Sequence, residues 1–286
     1  MKLKMKKLKY SQLVGALEQC GIQKGDVVHV QSDLLRIGPV DCEPTREKIL
    51  EFYLAAFQEV LGPDGTLTVC TAFEDYARFG IPYIREESPS LTDSFSEYIR
   101  TRPLSIRSQH PIVSITAIGK KAQDICGGSH YNGFGYDSPW GYLHKENAHI
   151  MTLGLGALLG GTTFFHYVEG LYGVPYKYTK IYATPVFSKG NIVPGTFTMC
   201  VRYLDFNIVN TPIRLKSHLV DKGLAVQLSV GRGEIWSCRS QYIVDEAIKC
   251  LRHDRYFLLE SPPQFRNGEI PMDGKTGPMQ VVYNRE

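Results

Sequence analysis

The stretch "AHIMTLGLGALLGGTTFFHYVEGLYG", residues 148–173, joins the pattern of a buried strand to that of an apolar helix through a run of glycines. The helix pattern carries His166 and Glu169, whose spacing of three residues puts both side chains on one face. Because an ionisable group is costly to remove from water unless it is paired, the two residues form either a structural ion pair or a functional site. Residue types alone favour the structural ion pair, because ion pairs without a function perturb pKa values just as functional sites do.

A functional reading of the pair has a clear chemical basis. Glu169 can accept a hydrogen bond from one ring nitrogen of His166 and fix its tautomer, which leaves the other nitrogen free to act as a base. His166 lies in the first helical turn, where the helix dipole disfavours imidazolium, while the nearby carboxylate favours it. Thr162 and Thr163 precede the helix, and either side chain can cap it.

Strand and helix patterns alternate along the first 150 residues, as in "DVVHVQSD", "PTREKILEFYLAAFQEVLG" and "TLTVCTAF". This alternation predicts an α/β fold with a mixed, largely parallel central sheet flanked by helices. After residue 180, extended segments predict added antiparallel strands or a small β-rich lobe at 180–240 in the C-terminal third. We therefore expect a single α/β domain over 1–286, with an irregular polar tail at 267–286.

The composition excludes several classes of protein. A chain of 286 residues that is 43% hydrophobic can bury a large core, and its net charge of +3 is too small to indicate nucleic-acid binding. Seven scattered cysteines without a C-x-x-C spacing argue against a disulfide framework or a zinc ribbon. The histidines show no compact metal-binding spacing, so no metal is expected. The basic start has no apolar segment behind it, so we expect a cytoplasmic protein without membrane insertion.

Common nucleotide and nucleophile motifs do not fit the sequence. Gly154, Gly156 and Gly160 are spaced one residue too widely for a dinucleotide-binding fingerprint, and a turn that needs small residues explains them better. No serine stands in a G-x-S-x-G elbow. The segment "IRSQHP", residues 106–111, precedes a strand and could either hold a ligand or be solvated.

Six segments in order match one known family: "LGPDGTLTVCTAF", "ESPS", "IRSQHPIVSITAIG", "DSPWGYL", "IMTLGLG" and "TTFFHYVEGLYGVPYKY". Together they resemble the aminoglycoside 3-N-acetyltransferase family, also called antibiotic N-acetyltransferases. The resemblance implies an α/β acyltransferase that uses acetyl-CoA to acylate a primary amine. It also makes His166 the general base and Glu169 its orienting carboxylate.

The resemblance further implies where the donor binds. Coenzyme A contacts are expected near the loop after the first strand and near the R-S-x-H-P loop. A backbone N–H or a hydroxyl near Thr162 or Thr163, at the helix start, is the candidate donor to the thioester carbonyl. The implied coenzyme A residues besides Thr163 are Ser32, Asp33, Leu34, Ser108 and His110.

The chain departs from the family where "QSDL" replaces the usual H-[SA]-S-L, so Gln31 stands in place of a histidine and Asp33 in place of a serine. The F-D-P that usually precedes "ESPS" is also missing. These departures weaken the expectation of aminoglycoside specificity more than they weaken the expectation of acyl transfer.

The acceptor is expected to be a small-molecule amine. Acidic residues in the family-like region, Glu74, Asp75, Glu86 and Glu87, could form a local patch for a cationic acceptor. Because aminoglycosides are polycations and the whole chain is slightly basic, we favour an amino sugar of lower positive charge, such as a nucleotide-linked sugar. An O-acyltransferase, an acyl hydrolase and a non-catalytic CoA-binding protein stay open as alternatives. The sequence is compatible with a monomer or a homodimer.

Overall fold

The computed structural model describes residues 7–155, 163–203 and 206–265. Most of the strands form a seven-stranded sheet, and the others form two small sheets beside it. In chain order the strands are β1 (Val27–Ser32), β2 (Thr66–Cys70), β3 (Tyr83–Ile84), β4 (Ile106–Arg107), β5 (Ile115–Gly119), β6 (His149–Leu153), β7 (Lys177–Tyr182), β8 (Val186–Ser188), β9 (Asn191–Ile192), β10 (Phe197–Arg202), β11 (Ala225–Val230) and β12 (Gly233–Arg239).

Helices cover both faces of the large sheet. In chain order they are α1 (Tyr10–Gln19), α2 (Leu34–Ile37), α3 (Arg46–Leu61), α4 (Asp75–Phe79), α5 (Ser94–Arg100), α6 (Ala122–Cys126), α7 (Pro139–Lys145), α8 (Phe164–Tyr172), α9 (Ile213–Asp221) and α10 (Ser240–His253). Within the described ranges, none of these helices is long and apolar enough to cross a membrane.

The large sheet has the strand order β11-β12-β6-β1-β2-β5-β4. Only its centre is parallel, where β1 pairs with β2 and β6, and the outer pairings are antiparallel. The predicted mixed sheet flanked by helices is confirmed, with a smaller parallel share than the alternation of strands and helices suggested. One reason is the short turn between β11 and β12, because a tight hairpin can join only antiparallel strands.

Apolar side chains fill two layers, one on each face of the sheet. Strands β1, β2 and β6 are almost completely buried, as expected for central strands covered on both faces. One layer packs α1, α3 and α5 against the sheet through side chains such as Leu13, Phe57 and Phe95. The other layer packs α7, α8 and α10 against the opposite face, with Trp140 and Phe164 fully buried.

The central strands β1 and β6 end side by side, with Ser32 paired to Leu153. Gly154 follows directly with a φ of +86°, and a Cβ at this position would lie 2.2 Å from the backbone oxygen of Asp33. Only glycine fits this conformation and this close approach. The first glycine of the run therefore lets the chain turn away at the end of β6.

Residues 180–240 are divided between different sheets. Strands β7 and β10 form an antiparallel ribbon, and β8 joins β3 and β9 in a three-stranded sheet. Strands β11 and β12 instead extend the large sheet next to β6. The predicted polar tail at 267–286 lies outside the described residues.

The packing of α3 generates a stability prediction. Phe57 is fully buried and its ring stacks on that of Phe95 with centroids 6.2 Å apart. We expect Phe57→Ala to lower the free energy of unfolding by about 3–5 kcal/mol, because a large cavity remains. Urea unfolding measures this change, with Phe79→Ala as the control because Phe79 is 43% exposed. Equal losses in the two variants would contradict the assigned core.

Candidate active site

Helix α8 is placed by its apolar side chains. Phe164, Phe165, Tyr167 and Val168 are buried in the layer that packs against the sheet. These residues fix the rotation of the helix about its axis. His166 therefore points to one side of the packed face, where its side chain is 40% exposed.

The start of α8 is fastened to the end of β1 by Gln31. The Gln31 Oε1 atom accepts a hydrogen bond from the Thr163 backbone N–H at 2.8 Å. The Gln31 Nε2 atom donates to Thr163 Oγ1 at 3.2 Å. Both polar groups of the carboxamide thus bind one residue at the helix start, across a sequence separation of 132 residues.

Thr163 does not cap α8 with its side chain, contrary to the expectation. Its backbone is helical, with φ −54° and ψ −23°, whereas an N-cap residue needs an extended backbone to reach the free N–H groups. Its hydroxyl bonds Gln31 instead, and its N–H is already used by the same side chain. Thr162, the other predicted cap, lies outside the described residues.

His166 and Glu169 are in contact, with 2.7 Å between His166 Nδ1 and Glu169 Oε2. The Glu169 carboxylate is fully buried. Its Oε1 atom accepts from the Tyr176 hydroxyl at 2.9 Å and from Asn210 Nδ2, and its Oε2 atom also contacts Lys177 Nζ. A buried carboxylate with four donors is well compensated and holds one position.

The contact with Glu169 determines the tautomer of His166. A carboxylate only accepts hydrogen bonds, so Nδ1 carries the hydrogen of the neutral ring. The Nε2 atom then keeps its lone pair. No hydrogen-bond partner for Nε2 is found among the described residues. This arrangement is the one that a general base requires.

Burial and the surrounding charges together leave the pKa values of His166 and Glu169 below their ordinary ranges. Burial raises the pKa of Glu169, but the Lys177 charge and the bond from His166 oppose it and bring the pKa below its usual range. Burial lowers the pKa of His166, the Lys177 charge lowers it further, and Glu169 only partly compensates. His166 is therefore neutral at neutral pH and able to accept a proton.

His166 lines a cavity of about 130 Å³. This volume holds a reacting amine and a carbonyl group, whereas sites for whole small ligands measure ~300–1,000 Å³. The rest of the amine and the rest of the acyl donor would therefore lie outside this cavity. The cavity is lined by Thr163, Phe165, His166, Glu169, Asn210, Thr211, Pro212 and Leu258.

The predicted donor loop after β1 lies at the same end of the sheet as Thr163. Ser32 donates a hydrogen bond to Asp93 Oδ1 at 3.3 Å. Asp33 pairs with Arg36 at 2.8 Å on the surface, and Leu34 begins the short helix α2. The side-chain oxygens of Ser32 and Asp33 thus bind other residues of the chain. Contact with coenzyme A stays a prediction for Ser32, Asp33 and Leu34.

Ser108 and His110 lie in the interior rather than on a cavity wall. Ser108 is fully buried, and its Oγ accepts from the Ile115 N–H at 2.9 Å. His110 is 1% exposed, and its Nε2 bonds the Thr198 carbonyl at 3.1 Å. Burial lowers the pKa of His110 to about 4, which keeps the ring neutral. Their burial supports a role in holding the loop and gives no support to the predicted contact with coenzyme A.

The predicted acidic patch is not at the cavity. Glu74 forms a 2.8 Å ion pair with Arg78, and Asp75 begins α4. Glu86 binds the chain at Ser188 and Lys189, and Glu87 is exposed. Because the described cavity wall includes none of these four acids, their predicted role in acceptor binding finds no support in the fold.

Sequence reasoning missed four residues that shape the site. Tyr176 and Lys177 belong to "GVPYKY", a matched segment in which only the histidine and glutamate drew attention. Gln31 was visible as a departure, but its partner 132 residues away was not. Asn210 carries no local signal, because only the tertiary fold brings it to Glu169.

The Gln31 bridge generates a second stability prediction. Gln31→Leu removes both hydrogen bonds to Thr163 and leaves a part-buried N–H without its acceptor. We expect the free energy of unfolding to fall by about 1–3 kcal/mol, the cost of such a group. Chemical denaturation measures it, and Gln58→Leu on the exposed face of α3 is the matched control. If the two variants are equally stable, Gln31 does not fasten α8.

Similarity to known proteins agrees with this geometry. A family model described as aminoglycoside 3-N-acetyltransferase matches residues 29–252. The aminoglycoside N(3)-acetyltransferase III of Pseudomonas aeruginosa is 25% identical over 202 residues, which cover 64% of this chain and 72% of that protein. The aminoglycoside N(3)-acetyltransferase VIII of Streptomyces fradiae is 28% identical over 200 residues, which cover 63% of this chain and 67% of the relative.

Solved structures share the fold. The structure described as "AAC-IIIb binary with CoASH" superimposes with a TM-score of 0.73 at 19% identity, covering 90% of this chain and 100% of its own. The structure described as "AAC-VIa bound to Sisomicin" has a TM-score of 0.71 at 21% identity, covering 87% of this chain and 98% of its own. Because the family model spans well over half of the sequence, this chain belongs to the aminoglycoside 3-N-acetyltransferase family.

Proposed function

We propose that the chain is an N-acetyltransferase that moves an acetyl group from acetyl-CoA to a primary amine, with His166 as the general base. The observation that carries the proposal is the pair itself. Glu169 holds Nδ1 of the His166 ring at 2.7 Å, and His166 lines a cavity. The names of the relatives support the reaction, and the CoASH-bound neighbour supports acetyl-CoA as the donor.

The base solves a specific chemical problem. An amine at neutral pH is largely protonated, and an ammonium nitrogen has no lone pair with which to attack a carbonyl carbon. The acceptor therefore reacts as the neutral amine, after one proton has passed to water. As its nitrogen attacks, His166 Nε2 accepts the second proton that the nitrogen must lose to become an amide, and Glu169 stabilises the imidazolium. Acetyl-CoA supplies the acetyl group as a thioester. As the new C–N bond forms and the C–S bond breaks, His166 returns the proton to the departing sulfur, so that an amide and a free thiol result.

The helix start supplies a donor for the thioester oxygen. The Thr163 N–H already donates to Gln31, so a neighbouring backbone amide has to serve as the donor to the thioester oxygen. Phe165 lies in the first turn of α8 and on the cavity wall. First-turn amides have no partner inside the helix, and they are aimed where negative charge can develop. We assign this role to the Phe165 N–H.

The charge at the cavity bears on the acceptor. Glu169 is the single carboxylate on the described cavity wall, and His166 and Lys177 already share it. Lys177 and Arg202 place two positive charges near the His166 ring. A polycationic acceptor gains little attraction from such a wall. We therefore propose an amino sugar of lower positive charge, with a nucleotide-linked sugar preferred over an aminoglycoside.

The central prediction concerns His166. We expect His166→Ala to lower kcat by roughly 10²–10⁴-fold, because that is the usual loss when a general base is removed. Mass spectrometry of an amine incubated with acetyl-CoA measures the acetylated amide directly. His253→Ala, at the exposed end of α10, serves as the control and should retain activity. Near-normal turnover by His166→Ala would contradict the assignment, and an acid or an ester as the product would indicate a hydrolase or an O-acyltransferase.

A second prediction concerns the acceptor. Thermal-shift measurements with acetyl-CoA present should show greater stabilisation by nucleotide-linked amino sugars than by kanamycin-type aminoglycosides, because the described wall offers no free carboxylate to a polycation. A sugar nucleotide without the amine is the matched control for binding through the nucleotide alone. Stabilisation by the aminoglycosides alone would overturn the preferred acceptor and leave the acetyl-transfer reaction untouched.

A further inference from the structure

We propose that Lys177 is a positioning residue of the active site, whose buried cation holds Glu169 and keeps the His166 ring in its neutral, proton-accepting form. Its effect on turnover rests on the proposed acetyl transfer, but its effect on the ring does not. Nothing in the sequence patterns singles out this lysine, which begins β7 directly after Tyr176.

The geometry places Lys177 against both members of the pair. Its side chain is only 3% exposed, which is rare for a lysine. Its Nζ contacts Glu169 Oε2, the same oxygen that receives the His166 hydrogen bond. The same Nζ lies 3.1 Å from His166 Nδ1.

The short distance between Lys177 Nζ and His166 Nδ1 is a contact between two donors. Nδ1 needs its hydrogen for the Glu169 carboxylate, and an ammonium group carries hydrogens only. Neither nitrogen can accept from the other, so Oε2 separates them by binding both. Lys177 therefore restrains the carboxylate oxygen that orients the ring, and it acts on His166 through Glu169 and through its charge.

The charge balance explains why the ring stays neutral. With one anion on Glu169 and one cation on Lys177, the buried cluster is already balanced. A proton on His166 would add a second cation within 3.1 Å of the first. A glutamate alone would have the opposite effect, because it would stabilise imidazolium and remove the base.

The other groups facing the ring reinforce this balance. Arg202 of β10 adds positive charge, while burial and the nearby carboxylate raise the pKa of the Cys200 thiol and keep it protonated. Burial and Glu169 raise the pKa of Tyr176, which therefore stays a neutral donor. Asn210 carries no charge, and Phe134 meets the ring edge with centroids 6.1 Å apart. Glu169 is thus the sole anion contacting His166 in the described parts of the chain.

The test is the titration of the His166 ring, followed by NMR and assigned by the signal that disappears in His166→Asn. In the wild type the ring should titrate below the ordinary histidine value of about 6.5. Titration above that value would overturn the proposal without any lysine variant. Lys177→Met should move the titration to higher pH, and Lys177→Arg should keep it near the wild type because it keeps the charge.

The surface variant Lys120→Met is the matched control, since Lys120 pairs with Asp64 and is 64% exposed. An unchanged titration in a folded Lys177→Met variant would overturn the proposal. In acetylation assays, Lys177→Met should lower kcat/KM more at about pH 6 than at about pH 8, because a raised pKa leaves a smaller fraction of the ring neutral at the lower pH. A displaced titration in a protein that acetylates no amine would instead refute the proposed function and leave the role of Lys177 standing.

Discussion

The site depends on the burial of one carboxylate. Glu169 is fully buried, and an isolated charge in such a place is too costly to keep. Four donors from a histidine, a lysine, a tyrosine and an asparagine compensate it, and each of them is thereby fixed in turn. Because the carboxylate cannot move without breaking all four contacts, the imidazole has one orientation and one tautomer. Burying the charge costs stability, but the contacts that compensate it hold the base in one defined direction.

The fold delivers these donors from separate parts of the chain. The end of β1 holds the start of α8 through Gln31, and Gly154 allows the chain to leave β6 at the same edge. Lys177, the first residue of β7, then reaches the same Glu169 oxygen that binds His166. Central parallel strands place such loop and helix starts together at one edge of the sheet, which is where α/β proteins commonly form ligand sites.

Local sequence patterns predicted the central strands, two of the main helices and the His166–Glu169 pair. They did not predict contacts between distant parts of the chain. The strands β1, β2 and β6 and the helices α3 and α10 follow from apolar periodicity, and the i, i+3 spacing placed His166 beside Glu169. Antiparallel strands after residue 180 were predicted, whereas the antiparallel direction of β4 and β5 was not, because the same apolar run suits a parallel or an antiparallel neighbour. Lys177 and Asn210 were missed for a related reason, since a polar residue gives no sequence signal when its partner arrives only through tertiary folding. Ser108 and His110, which the sequence predicted as coenzyme A contacts, are both buried.

The proposed role of His166 as a general base depends on which of its ring nitrogens carries the hydrogen. Nitrogen-15 NMR of histidine-labelled protein at neutral pH distinguishes the two neutral tautomers and the imidazolium. We predict a neutral His166 with hydrogen on Nδ1, facing Glu169, and an unprotonated Nε2. Hydrogen on Nε2 in the neutral ring, or an imidazolium at that pH, would contradict it, because the nitrogen facing the substrate could then accept no proton.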